Sequence, residues 1–119
     1  MEKVLGIGGL FFRSRNPERL RKWYAEHLGV SYPPDFWHQQ AGPTLLAPFT
    51  SDTDYFGRMD QQWMVNFRVA DLDAMIKQLE AARISVETRE EWNSEAGRFA
   101  RIHDPDGNPI ELWQPATVD

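Results

Sequence analysis

Cysteine is absent from the chain. That excludes disulfides, thiolate metal sites and cysteine nucleophiles, and it leaves the compartment open. No apolar run approaches the roughly 20 residues of a membrane span, so no membrane partner is expected. The opening MEKVLGIGG lacks the charged-then-apolar pattern of a secretory signal, and a cytoplasmic location is the expectation. Basic charge is scarce: the formal net charge is −5. Its one cluster, within residues 13–22, is spaced like the solvated face of a helix. A nucleic-acid binder would show a basic stripe, so no nucleic-acid partner is expected. GIGG at residues 6–9 is too short for a phosphate-cradling loop and lacks its spacing. It reads instead as a strand where another backbone or a ligand comes close. No serine or threonine sits in a nucleophile motif, which leaves triad chemistry without support.

What the chain has in quantity is aromatic surface, with five Trp and seven Phe among 119 residues. Either the core is rich in large rings or a pocket is lined with them. The length corresponds to one domain.

Two segments carry clear periodicity. In LGIGGLFFRSRNPERLRKWYAEHLGV (residues 5–30), residues 5–13 read as a strand, with Leu10 and Phe12 on one face and Ile7, Phe11 and Arg13 on the other. Asn16-Pro17 supplies a helix cap and a first-turn proline. Leu20, Trp23, Tyr24, His27 and Leu28 follow at helical spacing, and Gly29 is the stop. In WMVNFRVADLDAMIKQLEAARISVETR (residues 63–89), Val65, Phe67 and Val69 alternate with Met64, Asn66 and Arg68. Asp71 is the next cap, Asp73 lies where the helix dipole favours it, and Leu72, Met75, Ile76 and Leu79 make a buried stripe. Residues 84–88 read as a strand.

The two segments match at an offset of 55, with Phe12-Arg13 over Phe67-Arg68, Asn16 over Asp71 and Leu20 over Met75. Further strand-like pieces follow each copy: residues 36–40 and 44–49, then 97–103 and 109–113. The organisation expected is a single domain over residues 1–119. Its first strand–helix–strand–strand–strand unit spans about residues 4–50, a polar linker 51–62, and a second unit about 63–115. One unit alone leaves a sheet face uncovered, so the units must pack on each other or on another chain.

DPDGNPIELWQP (residues 104–115) holds Pro105 and Gly107 in turn order. With residues 104–108 as a five-residue loop, His103 faces Pro109, Arg101 faces Glu111 and Phe99 faces Trp113. The opposite face then carries Ala100, Ile102, Ile110 and Leu112, and should pack on the helices.

A duplicated unit with RVADLDA in its second copy and DPDGN-x-IEL at its end resembles the vicinal oxygen chelate superfamily. That group contains glyoxalases, bleomycin-resistance proteins and extradiol dioxygenases. NPERLRKWYAEHLGV is similar to the group's first helix, and the resemblance runs from Gly6 to Pro115. It implies an α+β fold, two βαβββ modules forming a curved mixed sheet around a cavity, and commonly a homodimer. Enzymes of the group hold a divalent metal with one ligand from the first strand of each unit and a glutamate from the last strand. Carried over, the glutamate is Glu111, and the first-strand positions fall on Gly9 and Met64. An additional ligand found in some members falls near Leu45. None of these three offers a nitrogen or oxygen side-chain donor, and one carboxylate does not make a metal site. No cofactor is therefore expected, with a divalent metal as the alternative.

His38 and His103 are the remaining candidate metal donors beside Glu111, whereas His27 fits a helix C-terminus. Arg101 is the expected counter-charge for Glu111. Arg13 and Arg68, at equivalent places in the two units, are candidates to hold an anionic ligand. Phe36, Trp37, Tyr55, Phe56, Trp63, Phe99 and Trp113 are candidates for an aromatic pocket wall, Trp37, Trp63, Phe99 and Trp113 foremost.

Three functions remain in view. The first is metal-independent binding of a small molecule, similar to bleomycin-resistance proteins. The second is a glyoxalase-like lyase or isomerase, or a dioxygenase, using catalytic Glu111 as a base or with a non-standard metal site. The third is a regulatory or structural module with a closed cavity.

Overall fold

The structure is a computed structural model describing residues 1–116. Its elements in chain order are helix α1 (Pro17–Leu28), strand β1 (Val65–Arg68), helix α2 (Leu72–Ala81), a 3₁₀ turn (Glu90–Trp92), strand β2 (Gly97–His103) and strand β3 (Pro109–Pro115).

Both helices start and stop where their caps dictate. The Asn16 side chain accepts from the Arg19 N–H, and Gly29 takes the left-handed conformation (φ 70°) that closes α1. The Asp71 carboxylate accepts from the Ala74 N–H at 3.0 Å. A second orphan donor of α2, the Leu72 N–H, is met from β3 by Gln114 Oε1 at 2.8 Å. Asp73, in the first turn, pairs with Arg98 of β2.

The sheet is mixed, in the order β1-β3-β2. β3 runs parallel to β1 and antiparallel to β2. The hairpin has the expected register, pairing Phe99 with Trp113, Arg101 with Glu111 and His103 with Pro109. On one face Ala100, Ile102, Ile110 and Leu112 are fully buried against Leu72 and Leu79. Trp23, Tyr24, Val65 and Phe67 extend this core.

The turn is a polar clamp. Asp104, 4 % exposed, accepts from the Asp106 and Asn108 N–H groups and from Asn108 Nδ2. It also accepts from the Tyr24 hydroxyl at 2.7 Å, which ties the turn to α1. Burial first, then this bond, pushes the Tyr24 phenol well above its ordinary range. Gly107 takes φ 85°, as the turn order requires.

The first half departs from expectation. Residues 5–13, 36–40 and 44–49 form no strand, and no backbone–backbone hydrogen bond involves residues 1–13 or 36–49 among the described residues. A strand exists only through its ladder, and these pieces have no ladder partner among the described residues. Leu5, Phe11 and Leu46 are accordingly at least 90 % exposed. Residues 84–88 make a single bridge, Glu87 to Arg101, in place of a strand. The mixed sheet thus contains three strands, all from the second half.

Replacing Asp104 by Ala leaves four donors without their acceptor, three of them in the turn and the fourth the Tyr24 hydroxyl. The expected cost is about 2–4 kcal/mol in urea unfolding. Tyr24→Phe, which removes one bond and no volume, should cost about 1 kcal/mol.

Candidate functional site

The pleat of the three strands sets the site. Asn66 on β1, Glu111 on β3 and Arg101 on β2 stand in one cross-strand row, on the face away from the helices. Arg68, Trp113 and Phe99 make the next row. Glu111 and Arg101 are both buried, at 9 % and 7 % exposure.

The Glu111 carboxylate is satisfied by neutral donors. Asn66 Nδ2 donates to Oε1 at 2.7 Å, and the Tyr55 hydroxyl donates to Oε2. Tyr55 comes from residues 51–62, a run of turns and bends with no helix or strand. Burial first, then the hydrogen bond and charge of Glu111, push the Tyr55 phenol up to about 12, while Arg101 pulls it the other way.

The expected ion pair between Arg101 and Glu111 does not form. The ion pairs among the described residues are Lys22–Glu18, Arg58–Asp60, Arg89–Glu87 and Arg98–Asp73. Arg101 instead donates from Nη2 to the Tyr55 carbonyl at 2.8 Å. Its guanidinium lies 4.7 Å from the Tyr55 ring centroid and 5.4 Å from that of Trp92. Its Nε is buried without a partner. Direct opposition across a ladder brings the two backbones together, but a long side chain is free to lean elsewhere. Two aromatic faces and a carbonyl drew this one away.

Of the residues singled out from the sequence, the sheet gathers Glu111, Arg101, Phe99 and Trp113 on one face. Phe99 and Trp113 are parallel, with centroids 6.1 Å apart, and Trp113 Nε1 donates to the Ala96 carbonyl at 2.9 Å. Arg68 donates to the Gln40 carbonyl at 2.9 Å, holding the first half against β1. Trp37 packs on Phe67, which belongs to the helix-facing row. Trp63, Arg13, His38 and His103 are exposed. Shallow surface depressions follow the outside of α1 and the seam between α2 and β2, and neither includes Glu111.

Sequence reasoning did not foresee Tyr55, named only as a candidate pocket wall, or Asn66 as partners of Glu111, nor Trp92 as a neighbour of Arg101. Asn66 carried a signal, since it lies on the same strand face as Met64 and Arg68. Tyr55 and Trp92 lie in turns with no periodicity to mark them.

The divalent metal that the family resemblance implies does not fit these residues. No group of three or more His, Cys, Asp or Glu side chains among the described residues could hold a metal ion. Glu111 accepts from a phenol on one oxygen and an amide on the other, and Gly9 and Met64, the positions the resemblance implies for further ligands, carry no nitrogen or oxygen side-chain donor.

The raised Tyr55 phenol has a signed consequence. A pKa higher in the folded than in the unfolded chain stabilises the fold below the unfolded value of about 10. That contribution is lost as pH rises from there through about 12. Absorbance titration should show two of the three tyrosines, Tyr24 and Tyr55, ionising late, and Glu111→Gln should bring Tyr55 alone back toward its ordinary value.

With this geometry in place, the comparisons with known proteins are informative. The sequence profile of the glyoxalase-like domain matches residues 9–113. Among solved structures, TnmS3, an antibiotic binding protein from Streptomyces sp. CB03234, is 28% identical, with 85% of this chain and 88% of that chain covered and a TM-score of 0.54. A glyoxalase/bleomycin resistance protein from the same organism is 33% identical over 45% of this chain and 46% of that chain, with a TM-score of 0.39. The trypanothione-dependent glyoxalase I of Leishmania major is 17% identical over 82% and 77%, with a TM-score of 0.48. No curated protein matches. A profile match over most of the chain, on a mixed sheet that ends in the DPDGN hairpin, decides the family: the chain belongs to the glyoxalase-like domain family, within the vicinal oxygen chelate superfamily.

Proposed function

We propose that the protein binds a small molecule on the sheet face around Glu111, without a metal and without transforming it. The observation that carries this reading is the state of Glu111. It is the one family ligand position occupied by a carboxylate, and neutral donors from Tyr55 and Asn66 engage it where a metal would sit. The surrounding surface is aromatic: Tyr55, Trp92, Phe99 and Trp113 all border the row of Glu111 or the next. Ligand sites are mostly apolar and aromatic with a few fixed polar groups. The description of TnmS3 as an antibiotic binding protein supports the same reading.

The binding unit is a homodimer in this proposal. Residues 4–50 would complete the curved two-module sheet against a second copy, forming the cavity wall that three strands alone do not supply. β1 is an edge strand of the sheet, and Leu5, Phe11, Phe36 and Leu46 offer apolar side chains with no cover. Such surface is costly to leave in water and is what an interface buries.

Two measurements test the proposal. Planar aromatic compounds should raise the melting temperature by mass action, equally with and without a chelator. Stoichiometric zinc, nickel, iron or manganese in the purified protein, with turnover dependent on it, would overturn the reading. Light scattering should give twice the chain mass, and the double variant Phe11→Asp/Leu46→Asp should shift it to monomer. A wild-type monomer at all concentrations would remove the dimer.

A further inference from the structure

Tyr55 reaches the site from outside the sheet, and its side-chain contacts there are with other segments. It arrives from a run of turns, yet its hydroxyl donates to Glu111 and its carbonyl accepts from Arg101. One ring contact is the Arg101 guanidinium, at 4.7 Å. Phe49 stacks on it with centroids 5.7 Å apart and planes 10° from parallel, and Trp92 meets it edge-on at 6.2 Å. Ring, hydroxyl and oxygen acceptor are all recognised at once, which is how a bound aromatic molecule is held.

Beneath it the site is under-used. Arg101 is 7 % exposed, its Nε has no partner, and none of the ion pairs includes it. A buried guanidinium ordinarily finds a carboxylate or several carbonyls. Here one carbonyl and two aromatic faces serve. Withdrawing Tyr55 would leave a carboxylate oxygen without its donor and a cation without its ring.

From this geometry we infer that Tyr55 is an internal occupant of the binding site, and that the ligand is a planar aromatic bearing a phenol-type hydroxyl, which takes over the bond to Glu111 and the stack against Arg101. The inference rests on the small-molecule reading above and narrows it to a ligand class. Tyr55 and the ligand then compete, and the wild-type affinity is reduced by the fraction of molecules in which Tyr55 is in place.

The test uses 2-naphthol and 2-methoxynaphthalene, which differ only in the hydroxyl proton and a methyl group, titrated against the full chain. Tyr55→Ala should bind 2-naphthol roughly tenfold tighter than wild type and prefer it to the ether by a similar factor. Tyr55→Phe keeps the ring and its packing, and should move in the same direction by a smaller factor. Adding Glu111→Leu to Tyr55→Ala should abolish the preference while the ether still binds. If both compounds bind but neither Tyr55 variant gains affinity or discriminates between them, the inference is wrong and the binding reading stands. If neither compound binds wild type or any variant, both are overturned.

Discussion

Strand β3 carries everything else in this molecule. It is the middle strand, laddered to β1 on one side and β2 on the other. Its alternate residues face two incompatible environments. Ile110 and Leu112 have no exposure and pack with Leu72 and Leu79, while Glu111 and Trp113 point the other way. A slip of one residue would drive a carboxylate into the helix-facing core and strip the core of two aliphatic side chains. The register is therefore held by the desolvation of one charge as much as by backbone bonds. The Asp104 clamp fixes the turn from which that register is counted, and through Tyr24 it fixes α1 to the same reference. Gln114 extends the reach of β3 to the start of α2. One strand thus aligns both helices and presents the site.

This explains which parts could be read in advance. The hairpin register, the apolar face and both helix caps follow from short-range rules acting on short stretches: a five-residue turn, period two, and Asn16 or Asp71 ahead of an apolar stripe. The first half obeyed the same rules in pattern but not in structure. Residues 5–13 alternate well enough for a strand, yet a strand needs a neighbour, and periodicity says nothing about where one will be found. The 55-residue repeat is visible in the two capped helices and stops there. Tyr55 illustrates a different limit. Its segment is polar and full of turns, so its composition described the backbone correctly and concealed what one side chain does. Arg101 was placed in the right row with the wrong partner, because register fixes Cα positions and leaves the side-chain torsions undecided.

The way Glu111 and Arg101 share a row without pairing has chemical consequences. A direct bidentate pair would have consumed both carboxylate oxygens and two guanidinium donors, producing a sealed polar core. In its place each charge is held by weaker, separable partners. A carboxylate has about four acceptor directions and a guanidinium five donors; Asn66 and Tyr55 take one oxygen each, and Arg101 spends one N–H on a carbonyl. The residual capacity lies on one face, between aromatic rings, and part of it is guarded by a residue on a segment without secondary structure. Asn66 is positioned by the ladder of β1, whereas Tyr55 depends on the fold of residues 51–62 for its position. Here a hydroxyl and an amide are aimed at the Glu111 carboxylate. The price of burying it is already met by neutral donors, and one of those can be exchanged for a hydroxyl brought from outside.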